Sequence, residues 1–358
     1  MKTIQEARAL LQLQLRVHLG FFPTPLHKLE AVSRDTGVNV WIKREDFSGM
    51  TLFGGNKIRK LEYLLGDARA KGCDTVITFG ATQSNHAMET ATAARKCGME
   101  PILFLAALVE PKKEDIRANL LLDAILGAEL HILPTLPGEL MADTFARCRS
   151  QVDERIAQLE AEGRKVYEMP SGGSTPVGVT GYVDSFVELT AQLQERNVQA
   201  DFLFTSTGTG GTLAGLSAGK ALLGSPIQIV GIQVSPKDPA GYPKHVTELA
   251  NGALAHIGAE ERTDPSQFIC DPNYFAPGYE VPSPEANWDI RYLARREGLF
   301  TDPVYSGKGF HGMMEYIRDG RVPKGSTVVF LHTGGTTALF SEAEIVGNLA
   351  ELGWIEPA

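Results

Sequence analysis

The sequence predicts an α/β protein made of two open, doubly wound lobes. From residue 40 onward, short apolar runs alternate with stretches of helical periodicity, a pattern typical of parallel sheets covered by helices on both faces. The length of 358 residues exceeds what a single core usually holds and favours two lobes. Glycines and polar side chains follow several of the apolar runs, and ligands of α/β proteins bind at such strand ends.

The apolar runs predict strands, and the stretches between them predict helices. In the first half we expect strands at residues 39–43, 74–79, 101–105, 129–133 and 165–169, and helices at 57–70, 85–97, 115–126 and 143–161. In the second half we expect strands at 201–205, 227–234 and 327–331, and a helix at 210–223. Residues 170–174 indicate a loop, and residues 235–284 predict an irregular segment with one or two helices.

Composition excludes several classes of function. Lys and Arg number 34 against 43 Asp and Glu, a formal charge of -9, which disfavours nucleic-acid binding because that needs a basic surface. The four cysteines form no CxxC pair and no metal-type spacing, so we expect reduced thiols in the cytoplasm and no metal site. Glu6, Arg8 and Arg16 interrupt the N-terminus, which predicts no signal peptide. No apolar run approaches the roughly 18 residues of a membrane span.

The first candidate site segment is Gly54-Gly55-Asn56-Lys57, which follows the charged run Lys43-Arg44-Glu45-Asp46. Paired glycines allow a tight turn and a close approach of a ligand. A lysine at a helix start lies near the positive end of the helix dipole, and burial would also lower its pKa. Because an unprotonated amine can form a Schiff base, Lys57 is a candidate nucleophile. The alternative is a surface lysine that only begins a helix.

The second segment is Gly80-Ala81-Thr82-Gln83-Ser84-Asn85-His86, directly after a predicted strand. A polar cluster at this point can present hydrogen-bond donors to a carboxylate or a phenolic oxygen. Ser84 also has the position of a helix N-cap, a role that needs no ligand. Both interpretations stay open from the residues alone.

The third segment is Thr207-Gly208-Thr209-Gly210-Gly211-Thr212, between a predicted strand and a predicted helix. Successive amides at a helix N-terminus form an anion cradle suited to a phosphate. The alternative is a dinucleotide fingerprint, but Leu213 takes the place of its third glycine. The next strand also ends in Gln233-Val234-Ser235-Pro236, with no acid for a ribose. The pattern therefore favours a phosphate over a nicotinamide cofactor.

The fourth segment is Asp302-Pro303-Val304-Tyr305-Ser306, with a later partner in His332-Thr333-Gly334-Gly335. A buried structural tyrosine is the alternative for Tyr305. Together the four segments supply an amine, polar donors, a phosphate cradle and hydroxyl groups at the strand ends of one fold. That inventory suits pyridoxal phosphate.

These strings resemble the 1-aminocyclopropane-1-carboxylate deaminase and D-cysteine desulfhydrase family, which belongs to the tryptophan-synthase-β-like (fold type II) pyridoxal enzymes. The likeness runs from Pro23-Thr24-Pro25-Leu26 to Ala338-Leu339. Its most specific parts are Lys43-Arg44-Glu45-Asp46, Gly54-Gly55-Asn56-Lys57-Ile58-Arg59-Lys60-Leu61-Glu62, Gln83-Ser84-Asn85, Asp302-Pro303-Val304-Tyr305 and His332-Thr333-Gly334-Gly335. With this fold we expect a large lobe of residues 1–64 and 172–358, a small lobe of residues 65–171, and the cofactor between them. The resemblance also implies a homodimer.

The resemblance implies a role for each site residue. Lys57 would hold the cofactor, the amides from Gly208 to Thr212 would hold its phosphate, and Asn85 would contact the ring's phenolic oxygen. Ser84 would lie beside the substrate, and His86 follows it in the pattern of the desulfhydrases. Two tyrosines that flank the substrate in the family map onto Tyr305 and onto Tyr279, in Phe275-Ala276-Pro277-Gly278-Tyr279.

Two positions distinguish the members of this family. The deaminases carry Glu and Leu where this chain has Ser306 and Thr333, which is the desulfhydrase-like pattern. A carboxylate facing the pyridine nitrogen keeps it protonated and makes the ring a strong electron sink. A hydroxyl leaves a weaker sink, which suffices when a β-substituent departs with the electrons. Either Ser306 or Thr333 could supply that hydroxyl.

Two departures concern the leaving group. The desulfhydrases continue Ser-Asn-His with an x-Arg-Gln string, and this chain has Ala87-Met88-Glu89. They also place a Glu-Asn pair where this chain reads Leu105-Ala106-Ala107-Leu108-Val109-Glu110. We therefore expect α,β-elimination from a β-sulfur amino acid, with D-cysteine as the best-supported substrate. L-Cysteate sulfo-lyase, 1-aminocyclopropane-1-carboxylate deaminase and a non-catalytic amino-acid-binding module are the alternatives.

Overall fold

The computed structural model describes residues 1–49, 54–108, 116–278, 281–341 and 345–346. Its helices are α1 (Ile4–Gln12), α2 (Glu30–Thr36), α3 (Lys57–Ala70), α4 (Asn85–Lys96), α5 (Ala118–Ile125), α6 (Met141–Arg147), α7 (Arg149–Ala161), α8 (Pro176–Glu195), α9 (Gly211–Leu223), α10 (Gly241–His256), α11 (Pro284–Glu297) and α12 (Ser306–Arg318). Its strands are β1 (Leu26–Lys28), β2 (Asn39–Arg44), β3 (Thr75–Ala81), β4 (Glu100–Ala107), β5 (Glu129–Pro134), β6 (Val166–Glu168), β7 (Phe202–Thr207), β8 (Gln228–Gln233), β9 (Phe268–Asp271) and β10 (Thr327–His332).

The strands form two sheets. The larger has the order β1-β2-β10-β7-β8-β9, and the smaller has the order β5-β4-β3-β6. All pairings are parallel except that of β1 with β2, which is antiparallel at the sheet edge. The larger sheet combines strands from both ends of the chain, whereas the smaller draws only on residues 75–168. This arrangement agrees with an inserted small lobe, and the boundaries at residues 64/65 and 171/172 stay a prediction.

Apolar cores cover both faces of each sheet, as a doubly wound fold requires. On the larger sheet, one core packs α1, α8, α9 and α10 against the strands, and the other packs α2, α11 and α12. On the smaller sheet, α3 and α4 pack on one face and α7 on the other. The predicted two-lobed α/β architecture is confirmed.

The described elements also correct the sequence-based boundaries. The helix predicted at residues 143–161 is two helices, α6 and α7, because the backbone leaves helical geometry at Cys148 (φ -95°, ψ 11°). The segment 235–284 holds the 16-residue helix α10 and the short strand β9, so it is more regular than expected. The four cysteines are free thiols. In the described part of the chain, no helix has the length and apolarity needed to cross a membrane.

Candidate active site

A cavity of about 450 Å³ opens between the two sheets, at the carboxyl ends of their strands. Strands β2, β3, β7 and β10 end at Arg44, Ala81, Thr207 and His332, within the charged run 43–46, the polar cluster 80–86, the glycine loop 207–212 and the string 332–335. The volume lies within the range of pockets for small ligands and cofactors. Residues of these segments line one cavity, as expected because ligands of α/β proteins bind at strand ends.

Lys57 is the first residue of α3, and its side chain lines the cavity. Its ammonium Nζ donates to Asn56 Oδ1 at 2.6 Å. Burial lowers the pKa of Lys57, while the carboxylates of Glu89 and Asp302 act in the opposite direction. The sequence predicted a lysine whose pKa is lowered by burial and by the helix dipole, and it gave no sign of a carboxylate at the helix start. Instead, Glu89 Oε2 accepts from the amides of Lys57 and Ile58 at 3.0 and 3.1 Å, so a carboxylate caps this helix.

A buried ionic network holds α3 in place. Arg59 Nε lies 2.5 Å from Glu45 Oε2, and Arg59 Nη2 lies 2.8 Å from Glu188 Oε1. Lys43 also contacts Glu188 and donates to the carbonyl of Thr24 at 2.8 Å. No residue of the charged run Lys43–Asp46 is among those that line the cavity. Lys43 and Glu45 belong to the ionic network and are therefore structural. The network joins the end of β2 to α3 and α8.

Asn56 links three parts of the site, and sequence reasoning did not assign it a role. Its Nδ2 donates to Thr212 Oγ1 at 3.0 Å, and its Oδ1 accepts from Lys57 Nζ. Its backbone amide donates to the carbonyl of Thr333 at 3.1 Å. The side chain therefore ties Lys57 to the glycine loop, and the backbone ties Lys57 to the end of β10.

The glycine loop after β7 lines the cavity with Thr207, Gly208, Thr209, Gly210, Gly211 and Thr212. Within the described chain, no oxygen accepts a hydrogen bond from the amides of residues 208–212. Gly210 has a φ of 88°, a left-handed conformation that favours glycine. It turns the loop into α9, so successive amides face the cavity at a helix N-terminus. The hydroxyls of the loop are engaged elsewhere, since Thr207 Oγ1 contacts Tyr242 Oη at 2.6 Å and Thr209 Oγ1 contacts Ser174 Oγ at 2.7 Å.

Lys60 brings an amine to this loop. Its Nζ donates to the carbonyl of Gly172 at 3.0 Å. A Cβ atom built on Gly211 would lie 2.6 Å from the same Nζ, so the amine contacts the loop where a side chain would otherwise stand. Burial, together with the charge of Lys57, lowers the pKa of Lys60 well below its usual value. The sequence offered Lys60 only as part of a matching string.

The polar cluster after β3 also reaches the cavity. Ser84 is the N-cap of α4, and its Oγ accepts from the amide of Ala87 at 3.2 Å. Ser84, Asn85 and His86 all line the cavity, so the cap and the site coexist. His86 Nε2 contacts Thr78 Oγ1 at 2.8 Å, and burial lowers its pKa well below the usual value. His86 is therefore a neutral side chain.

Asn119 fixes the amide of Asn85, a contact that sequence reasoning missed. Asn119 Nδ2 donates to Asn85 Oδ1 at 2.7 Å and to the carbonyl of Gln83 at 2.9 Å. The Gln83 side chain returns the contact, because its Oε1 accepts from the amide of Asn119 at 3.0 Å. With its oxygen held from outside the cavity, Asn85 keeps its amino group as a donor.

Tyr305 lines the cavity at the start of α12, but Ser306 does not. The Asp302 carboxylate accepts from the amides of Val304, Tyr305 and Ser306 at 2.8, 2.6 and 2.7 Å. The Ser306 hydroxyl is fully buried behind the wall, where it donates to Asp302 Oδ1 at 2.5 Å or to the carbonyl of Gly334 at 3.1 Å. Burial raises the pKa of Asp302, and its hydrogen bonds oppose the increase.

Thr333 is the other hydroxyl that the sequence proposed for this wall, and it does line the cavity. In the described part of the chain, no side chain or backbone group hydrogen-bonds its hydroxyl. The next residue, Gly334, has a φ of 86°, and a Cβ there would lie 2.9 Å from Gly55 Cα. The paired glycines of the two loops therefore let β10 and the Lys57 loop approach closely.

Tyr279 lies outside the described residues, so its predicted place beside the substrate stays a prediction. Gly278, which precedes it, lines the cavity. Lys308 Nζ on α12 donates to the carbonyls of Phe275 and Gly278 at 3.0 and 2.7 Å. Burial lowers the pKa of Lys308 to about 8. Across the described residues, no group of three or more His, Cys, Asp or Glu side chains could hold a metal ion.

Comparisons with known proteins identify the family of this chain. The profile of the family described as "Pyridoxal-phosphate dependent enzyme" matches residues 17–334. A Pyrococcus horikoshii protein provisionally named a 1-aminocyclopropane-1-carboxylate deaminase is 39% identical over 91% of this chain and 93% of its own. A D-cysteine desulfhydrase from Serratia proteamaculans is 37% identical over 91% of this chain and 95% of its own.

Solved structures agree with the sequence comparison. The crystal structure of a 1-aminocyclopropane-1-carboxylate (ACC) deaminase homologue superposes with a TM-score of 0.83 at 37% identity, and covers 97% of this chain and 98% of its own. Threonine deaminase isoform 2 from Solanum lycopersicum shares the fold with a TM-score of 0.61 at 15% identity, over 96% of this chain and 88% of its own. The chain therefore belongs to the 1-aminocyclopropane-1-carboxylate deaminase and D-cysteine desulfhydrase family of fold type II pyridoxal-phosphate-dependent enzymes.

Proposed function

We propose that the protein is a pyridoxal-phosphate-dependent carbon–sulfur lyase that acts on a β-sulfur amino acid, with D-cysteine as the best-supported substrate. The net reaction converts D-cysteine and water to pyruvate, ammonia and hydrogen sulfide. The observation that carries the proposal is the wall formed by β10 and α12. There Thr333 lines the cavity and its hydroxyl has no hydrogen-bond partner among the described residues, while the carboxylate of Asp302 is bound to three backbone amides.

The cavity fits the cofactor of the family. The unpaired amides of residues 208–212 and the amine of Lys60 suit a phosphate dianion. At another part of the wall, Lys57 offers the amine that a pyridoxal aldehyde requires, and Asn85 offers a donor for a phenolic oxygen. Bound there, pyridoxal phosphate supplies an electron sink for the electron pair left on the substrate α-carbon.

We assign roles to the residues that line the cavity. Lys57 would hold the cofactor and, as a free amine, would take the proton from the substrate α-carbon. Ser84 and Asn85 orient the substrate carboxylate and the ring, and His86 packs beside them as a neutral group. Tyr305 and Tyr279 flank the substrate, and a thiolate leaves from the β-carbon. A non-catalytic binding module would need no lysine amine at this place.

The proposal is tested by measuring products from a panel of substrates. We expect pyruvate from D-cysteine, and we include L-cysteine and L-cysteate because the cavity wall does not fix the stereochemistry or the leaving group. The same protein should make little 2-oxobutyrate from 1-aminocyclopropane-1-carboxylate. Faster opening of the cyclopropane ring than elimination from every sulfur amino acid would overturn the lyase assignment.

The deaminase activity is the second candidate, and a specific observation favours it. Relatives named as ACC deaminases are as similar as the desulfhydrase; one from Methylobacterium sp. (strain 4-46) is 38% identical over 90% of this chain. Against it stand Ser306 and Thr333, which take the places of the Glu and the Leu that the resemblance assigns to the deaminases. The product assay separates the two activities, because one yields pyruvate and the other 2-oxobutyrate.

Thr333 and Ser306 should respond differently to removal of the hydroxyl. Thr333→Val should lower the elimination rate by about tenfold, a change of about 1.4 kcal/mol, because its hydroxyl faces the cavity. Ser306→Ala should leave the rate closer to wild type and instead lower the free energy of unfolding by about 1–3 kcal/mol, because its buried hydrogen bonds are internal. Rates and urea unfolding measured on both variants check this. Equal kinetic effects would contradict it.

The exchange Ser306→Glu, which sequence comparison suggests for a deaminase-like variant, is a poor test in this fold. Ser306 Oγ lies 2.5 Å from Asp302 Oδ1, so a glutamate there would stand against another buried carboxylate. Thr333 is the better position at which to alter the reaction.

Lys60→Gln should weaken cofactor retention by about 10- to 100-fold, the effect of losing one charge-assisted hydrogen bond. The glutamine can still donate to the carbonyl of Gly172, so the exchange should not destabilise the fold. Equilibrium dialysis of pyridoxal phosphate checks the expectation. Lys71→Gln, at the exposed end of the same helix, is the control and should retain the cofactor as wild type does. An unchanged dissociation constant for Lys60→Gln would exclude Lys60 from the phosphate site.

A further inference from the structure

Glu89 is a buried carboxylate that reaches α3 from another helix. It lies on α4 and is 1% exposed. Its Oε2 accepts from the amides of Lys57 and Ile58 at 3.0 and 3.1 Å. The N-cap residue of α3, Asn56, makes no side-chain cap, because its amide group is bound to Thr212 and to the Lys57 amine. Glu89 therefore does the work of an N-cap from outside the helix.

The glycine pair before Lys57 makes room for this carboxylate. Gly55 has a φ of 155°, and a Cβ atom there would lie 2.2 Å from Glu89 Oε1. Any side chain at residue 55 would displace the carboxylate from the start of α3. The pair Gly54-Gly55, which resembles a ligand-binding turn in the sequence, thus also accommodates an internal anion beneath the lysine.

Among the described residues, the cations that act on the Glu89 carboxylate belong to α3. Burial raises the pKa of Glu89 to about 7, and the charge of Lys57, the two amide hydrogen bonds and the charge of Lys60 oppose the increase. Tyr182 from α8 faces it as a phenol whose own pKa is raised well above the usual value by burial. Asp302, on the opposite side, interacts with Lys57.

We propose that Glu89 is a positioning residue that acts through Lys57: its side chain fixes the first turn of α3 and, in its ionised form, holds a proton on the Lys57 nitrogen. The inference rests on the proposed role of Lys57 and deepens it. A negative charge close to a nitrogen base favours the protonated form. Loss of that charge should therefore let the nitrogen lose its proton at lower pH.

Glu89→Gln is the test, because it keeps the shape and an acceptor oxygen while removing the charge. A cofactor bound to a lysine nitrogen absorbs at different wavelengths when that nitrogen is protonated and when it is not. A pH titration of the absorbance of the holoenzyme, without substrate, therefore reports the proton directly. We expect the midpoint of Glu89→Gln to lie lower than that of wild type by about one pH unit or more.

Two further variants separate charge from structure. Glu62→Gln replaces another buried carboxylate of α3, one that accepts from the amides of Leu19 and Gly20, and it should leave the midpoint unchanged. Glu89→Asp keeps the charge on a shorter side chain, so it should lower the thermal unfolding temperature with a smaller shift of the midpoint than Glu89→Gln. It also provides a folded comparison if the glutamine variant does not fold.

The outcomes are distinct. A midpoint in Glu89→Gln equal to that of wild type, or a shift as large in Glu89→Asp as in Glu89→Gln, overturns the inference and leaves Glu89 as a structural cap. Peptide mapping after borohydride reduction of the same samples identifies the lysine that carries the cofactor. A label away from Lys57 contradicts the proposed function itself, whereas a label on Lys57 with an unmoved midpoint contradicts only the role of Glu89.

Discussion

Replacing Lys57 with alanine should abolish turnover, with a loss of at least about a thousandfold, and should remove the visible absorbance of the bound cofactor. The amine is the nucleophile of the proposed site and also the group that takes the α-proton. Lys57 lines the cavity at the first turn of α3, so its loss leaves the cavity walls in place. Steady-state rates and an absorbance spectrum of the purified variant check the expectation.

The matched control is Lys71→Ala, at the other end of the same helix. Lys71 is paired with Asp67 at 2.7 Å on the surface, and 58% of its side chain is exposed. We expect wild-type turnover and absorbance from this variant. If Lys57→Ala kept the visible absorbance together with a substantial rate, the lysine would not be the cofactor-binding residue.

Arg59→Met should lower the free energy of unfolding by about 3–5 kcal/mol, the usual cost of leaving buried charges without their partner. The guanidinium bridges Glu45 and Glu188 at 2.5 and 2.8 Å, and its own side chain is 2% exposed. The pKa of Arg59 is raised well above its usual value because both carboxylates stabilise its charge, against the opposing effect of burial. Urea unfolding followed by circular dichroism measures the loss.

A surface arginine with the same pattern of partners serves as the control. Arg149 bridges Asp153 and Glu168, but 46% of its side chain is exposed, so Arg149→Met should cost less than about 1 kcal/mol. Adding Glu45→Gln to Arg59→Met should recover part of the loss, since it neutralises one abandoned carboxylate. A similar cost for the two single variants would show that the interior network does not stabilise α3.

The sequence predicted the location of the site because the fold class constrains it. Parallel strands end at one edge of a sheet, so polar segments after the strands had to converge there. Lys57, Ser84, Asn85, His86, Tyr305, Thr333 and the glycine loop from residue 207 to 212 line one cavity. Their individual roles stay predictions, because lining a cavity does not by itself assign a catalytic role.

Helix α8 could not be recognised from its pattern. It is 20 residues long, and α3, α9 and α10 pack around it. A helix that is buried on most sides has no polar face, so its sequence shows no amphipathic period. Close packing also requires glycine at some positions, because a Cβ on Gly181 would lie 2.2 Å from the carbonyl oxygen of Arg59. Those glycines weaken the helical signal further.

The contacts of Glu89 and Asn119 with site residues could not be predicted from the sequence for a different reason. Glu89 and Asn119 are polar residues of helices, and neither carries a local signal that would distinguish it from an exposed side chain. Each contacts a residue of another helix that is distant in the sequence. Glu89 binds the first turn of α3, and Asn119 binds Asn85. Such contacts depend on packing between elements, which periodicity does not report.

The sequence alone could not decide whether Ser306 or Thr333 lines the cavity. Both are hydroxyl residues in or beside strings that carry the family resemblance, Asp302–Tyr305 and His332–Gly335. Ser306 turns inward because Asp302 caps the start of α12 and takes its hydroxyl. Thr333 is left facing the cavity.

The most direct measurement for the whole account is borohydride reduction of the holoenzyme, followed by proteolysis and mass spectrometry of the labelled peptide. Lys57 and Lys60 both line the cavity, three positions apart on one helix, so the fragmentation must separate them. Lys60 is already bound to the carbonyl of Gly172 beside the glycine loop. The account predicts the cofactor label on Lys57, and a label on Lys60 or on any other lysine would contradict it.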